Sequence, residues 1–103
     1  MDLNPTQFES ECQASLDRFF AARPDAATQK RANKALRMLR STETPLKGNA
    51  QGWAAGVIYA MYNDGHVPCG VPGVLNAEFE QLMGTTMGTA RYRAARVVEL
   101  ITL

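Results

Sequence analysis

The sequence predicts a single all-α domain of five helices. Three observations carry that expectation. Apolar residues recur at steps of three and four in each long segment, no stretch alternates apolar and polar residues as a half-buried strand does, and one uncharged stretch around Trp53 is apolar nearly all round. At 103 residues, 46% apolar and 20% charged, the chain has apolar side chains enough for one core and too many for a disordered segment.

A first helix is expected over about 5–22. Asn4 is a capping residue, and Pro5 suits the first helical position because its φ is already helical and its missing N–H would have no partner there. Phe8, Cys12, Leu16, Phe19 and Phe20 form one stripe, with Glu9, Glu11, Asp17 and Arg18 off it. Pro24 pushes Arg23 out of helical conformation and ends the run.

Asp25 is placed to cap a second helix over about 26–41. Its apolar arc holds Ala32, Ala35, Leu36 and Leu39, and Lys30, Lys34 and Arg37 take the opposite side with Arg31 on their flank. Residues 41–49, with Pro45 and Gly48, read as a loop.

The third helix, about 50–63, has no charge. Trp53, Ala54, Ala55, Val57, Ile58, Tyr59, Ala60, Met61 and Tyr62 cover it on nearly every side, which in a globular domain marks a helix surrounded by others. Gly52, Gly56 and Ala60 lie four apart and leave one face almost bare. Glycine within a helix costs about 1 kcal/mol against alanine, so the expected return is close approach by a neighbouring helix.

A turn-rich stretch follows, with Gly65, Pro68, Gly70, Pro72 and Gly73. A short fourth helix is expected over about 76–83, capped by Asn76, with Phe79, Leu82 and Met83 inward and Gly84 ending it. Thr86 is placed to cap the last helix, about 87–102. There Ala90, Ala94, Val97, Val98 and Ile101 share one side, and Thr89, Arg93 and Arg96 another, with Tyr92 at its edge.

Composition and motifs exclude several functions. Eleven basic against ten acidic residues leave a net charge of +1, too little for a general coating of nucleic acid. The uncharged run from Asn49 to Asn63 is too short and too polar to span a membrane, and Met1 to Pro5 lacks a signal-peptide start, so a cytoplasmic location is expected. Cys12 and Cys69 are isolated thiols without framework spacing. His66 and Cys69 have a gap that suits zinc but lack a second ligand pair. The same histidine beside a thiol lacks an orienting group for nucleophilic catalysis. Phosphate-binding glycine loops are absent, and Glu9/Glu11 and Glu78/Glu80 sit two apart on helices, hence on different faces. The expectation is a non-enzymatic domain with no metal and no cofactor.

Binding remains. A short helix, a glycine turn and a capped second helix make the layout of a helix-turn-helix, in which the second helix offers its first exposed residues to a groove. The candidates here are Thr86, Met87, Thr89, Arg91 and Arg93, then Arg96, with Tyr92 available for stacking. Arginine suits this work because its planar fork grips guanine edges or phosphates. Lys30, Lys34 and Arg37, with Arg31, form a second cationic face suited to phosphates. The other reading is a protein-interaction module that presents Met87, Tyr92 and Val71 and binds no nucleic acid.

Two stretches carry a family resemblance. Gln51-Gly52-Trp53-Ala54-Ala55-Gly56-Val57-Ile58-Tyr59-Ala60 and Glu78-Phe79-Glu80-Gln81-Leu82-Met83-Gly84-Thr85-Thr86-Met87-Gly88-Thr89-Ala90-Arg91-Tyr92-Arg93 resemble the second half of a cyclin-like repeat, as in transcription factor IIB. They are similar also to a group of bacterial domains built around a W-A-A-G-I-x-Y-A helix. The resemblance covers about residues 46–103. It implies a five-helix cyclin-like bundle with a C-terminal helix-turn-helix and a DNA or protein partner linked to transcription. Transcription factor IIB carries two such repeats in tandem, so a single repeat implies a homodimer or a larger assembly.

The chain departs from that pattern at Glu80, where a DNA-reading unit has alanine, and at Thr85 and Ala90, where it has larger apolar residues. A carboxylate buried unpaired costs several kcal/mol, so Glu80 predicts that the last two helices are opened or shifted.

Overall fold

The structure is a computed structural model that describes residues 5–40, 49–63, 71 and 74–101. Its elements are α1 (Pro5–Ala22), α2 (Ala26–Arg40), α3 (Ala50–Asn63), α4 (Asn76–Met83) and α5 (Met87–Ile101), with no strand among the described residues. The expected helix ends at Ser41 and Thr102 lie outside the described residues, as do Asn4, His66 and Cys69.

The starts of three helices show how the sequence fixes them. Asp25 holds the start of α2. Its Oδ1 accepts from the Thr28 N–H at 3.1 Å, and its Oδ2 accepts from the Thr28 hydroxyl at 2.8 Å and the Tyr62 hydroxyl at 3.0 Å. Asn49 caps α3 by accepting from the Gly52 N–H at 2.8 Å, and Thr86 caps α5 by accepting from the Thr89 N–H at 3.1 Å. The expected Asn76 cap is not formed. Asn76 is the first helical residue, and the residue before α4 is Leu75, extended at φ −66°, ψ 146°, with no side-chain cap. Gly84 ends α4 at φ 69°, the left-handed region, where its N–H bonds the Glu80 carbonyl at 2.9 Å.

α3 is the centre of the domain. Every residue from Gly52 to Met61 is buried, with Ala55, Ile58 and Tyr59 at 0% exposure. α1 covers it through Cys12, whose thiol donates to the Ala50 carbonyl at 3.4 Å, and through Phe8, whose ring meets Trp53 edge-on at 6.4 Å. α2 brings Ala32, Ala35, Leu36 and Leu39, all fully or almost fully buried. α1 also anchors α4. Phe19 packs on Phe79 at 5.8 Å between ring centres, Arg18 Nε donates to the Leu82 carbonyl at 2.9 Å, and Arg23 pairs with Glu78.

α3 and α5 make the most extensive helix pair. A Cβ built on Gly52 would lie 3.1 Å from Thr89 Cγ2, and one on Gly56 would lie 2.6 Å from Arg93 Cβ and 2.9 Å from Ala94 N. The two helices therefore advance in the same sense across their contact, and the missing side chain at Gly56 is what lets their backbones meet. The notch read in the sequence has the expected occupant. Among the described residues, no helix is long and apolar enough to cross a membrane.

Candidate nucleic-acid interface

The sequence-predicted site residues fall into two groups, one at the start of α5 and one along the outside of α2. In the α5 group, Thr86 is exposed, but its hydroxyl caps the helix and donates to the Thr89 hydroxyl at 3.1 Å. Thr89 is half-buried against the Gly52 notch. Met87, read as an exposed candidate, is buried, and so is Val71. Both turn their apolar side chains into the core instead of presenting them.

The three arginines of α5 differ in use. Arg93 is half-buried, its stem packed on Gly56 and its guanidinium 4.7 Å above the Trp53 ring and 5.3 Å from Tyr92. Arg96 is half-buried and pairs with Glu99 one turn on. Arg91 is exposed, with its Nε donating to the Tyr59 hydroxyl at 3.3 Å. Tyr92 is 65% exposed.

Glu80 corrects an expectation. Its carboxylate is half-buried and paired: Oε2 accepts from the Met87 N–H at 2.7 Å. That N–H belongs to the first turn of α5, where the unpaired backbone donors and the helix dipole favour a negative charge. The residue read as a disruption of the α4–α5 pair is thus a link between the two helices.

Along α2 the cations are displayed. Lys30, Arg31, Lys34 and Arg37 are all exposed, opposite the buried apolar arc. α2 carries Lys30, Arg31, Lys34, Arg37 and Arg40 and no acidic residue, so a chain of net charge +1 has segregated its charge. α1 carries the counterpart, with Glu9, Glu11 and Asp17 against Arg18 alone in its helix.

Among the described residues, three side chains have displaced proton equilibria. Burial pushes the Cys12 thiol up to about 12, with Glu11 adding to it, which removes the reactive thiolate at neutral pH. The bonds from Thr28 and Tyr62 hold the Asp25 carboxyl below its ordinary range, and Tyr62, partly desolvated and bonded to Asp25, is raised in return. Both arrangements are structural. Among the described residues, no group of three His, Cys, Asp or Glu side chains is placed to hold a metal. No protein-family model, curated protein or solved structure matches the chain.

Proposed function

We propose that the chain is a non-catalytic nucleic-acid-binding domain of cyclin-like, transcription factor IIB-like architecture. The observation that carries this reading is the exposed face of α2, with Lys30, Arg31, Lys34 and Arg37 displayed on a helix that has no acidic residue. Such a face attracts polyanions by releasing the counterions condensed on them. The helix order, the central α3 and the α4–turn–α5 unit are in keeping with the resemblance, which supplies the link to transcription. A second copy or a larger assembly completes the footprint that a single repeat implies.

Fluorescence anisotropy with labelled duplex DNA at low salt tests the reading, with the mass of the complex measured alongside. Saturable association in the tens-of-micromolar range or tighter, the range of ordinary non-specific binding, is expected. No association at those concentrations removes the reading.

A second reading, a protein-interaction module, is favoured by one observation. The outer edge of α5 carries Gly88, Arg91, Tyr92 and Ala95, all exposed, so a large aromatic ring stands beside small residues on a helix whose three arginines have intramolecular partners. A photoreactive residue in place of Tyr92, with one defined protein adduct in cells and no DNA binding by the pure chain, would select this reading.

A further inference from the structure

We infer that this domain grips the sugar–phosphate backbone through α2 and does not read base edges with the start of α5. The inference rests on the nucleic-acid-binding reading above and specifies how the contact is made.

A helix that reads bases presents its first turn, with free N–H groups, exposed side chains and a positive pole, to a groove. Here that turn is occupied from within. The Glu80 carboxylate bonds the Met87 N–H at 2.7 Å and places a negative charge at the pole. Met87 is buried, Thr86 caps the helix and Thr89 faces the Gly52 notch. The Arg93 guanidinium lies over Trp53. A nucleic acid brought to this end would meet a carboxylate where it needs donors.

The outside of α2 carries exposed charge of one sign. Lys30, Lys34 and Arg37 follow one another by four and three residues on its exposed side. They span about 10 Å at ~1.5 Å per residue, comparable to the axial length of three to four successive phosphates of a strand at ~3.4 Å each. Lipid is the other polyanionic surface a cationic amphipathic helix can meet, but such a helix inserts its apolar face. The apolar face of α2 is already sealed against α1 and α3. The exposed side, cationic but for Met38, suits a partner recognised by its charge, and the phosphodiester backbone, a regular row of charges, is such a partner. DNA and RNA share this chemistry.

The test uses the full chain in anisotropy titrations at low salt. The probes are two unrelated DNA duplexes of equal length, an RNA duplex, a single strand, and vesicles containing an anionic phospholipid. Lys30→Glu/Lys34→Glu is expected to weaken nucleic-acid binding by about tenfold or more, since each phosphate contact carries a slope of about −0.9 in log K against log salt. Lys30→Gln/Lys34→Gln provides a milder step, and circular dichroism verifies that both variants keep the fold. Glu80→Gln, which removes the charge at the α5 pole, is expected to leave affinity unchanged, and the two DNA sequences are expected to bind within about threefold of each other. The RNA duplex and the single strand show which backbone geometry is preferred. Binding that survives the α2 variants, or a sequence preference altered by Glu80→Gln, overturns this inference and leaves the nucleic-acid reading standing. Binding to vesicles alone, or to none of the probes, overturns both.

Discussion

Gly56 and Arg93 meet so closely that a methyl group on Gly56 would stand 2.6 Å from the Arg93 Cβ and 2.8 Å from its carbonyl carbon. Two of the nearest atoms are main chain of α5, which cannot swing aside. Gly56→Ala gains about 1 kcal/mol of helix propensity and incurs about 1–3 kcal/mol of overpacking, more when backbone must move, so net destabilisation is expected. Gly52→Ala meets the tips of Thr89 and Asn49 at 3.1 and 3.2 Å, and side chains yield. It is expected within about 1 kcal/mol of wild type. Thermal melts compare the two, at ~4–8 °C per kcal/mol for a domain of this size. Equal losses at both glycines would refute the notch.

Asp25 ties the start of α2 to the end of α3. Because its folded-state carboxyl lies below the ordinary value of 3.8, its contribution is present above that pH and is lost as the pH falls through the folded-state value. Tyr62 acts from the other side. Its hydroxyl is raised above 10.0, so the bond it donates persists below that pH and is lost as the pH climbs through the raised value. Asp25→Ala is expected to lower the melting temperature at neutral pH and to flatten the decline below about pH 4. An unchanged acid limb would remove Asp25 as its source.

The guanidinium of Arg93 over Trp53 can be separated from the packing of its stem. Arg93→Met keeps an unbranched chain on Gly56 and removes the cation, for an expected loss of about 0.5–1 kcal/mol. Trp53 is the single tryptophan, so its emission should change in the same variant. Emission identical to wild type would place the guanidinium elsewhere in solution.

The thiol of Cys12, pushed up to about 12 and fully buried, is expected to resist thiol reagents at pH 8 in the folded chain. In a Cys69→Ala background, labelling should appear only in denaturant. Rapid labelling of the native variant would show that α1 opens from α3.

Much of this architecture was legible in the residues. The stripe Phe8–Phe20, the arc Ala32–Leu39 and the uncharged α3 each gave a correct face because burial follows helical period, and Gly52 and Gly56 announced a close neighbour. The polar links were harder to read. Glu80 looked like an unpaired charge because its partner is a main-chain N–H seven residues on, beyond a turn, and main-chain donors carry no residue type. Met87 and Arg93 looked like presented side chains because period alone does not say how far a neighbouring helix reaches across α5. Asn76 looked like a cap because capping residues are favoured near helix starts, yet the chain begins its turn one residue earlier. The cations of α2 were legible as an outer face, since nothing in the core can take them.

The salt dependence of duplex DNA binding by the unmodified chain bears most directly on the proposed role. A cationic face that meets about three to four phosphates should give a slope of about −3 to −4 in log K against log salt, the same for unrelated sequences. Affinity that does not respond to salt, or no binding at low salt in the tens of micromolar, would contradict it.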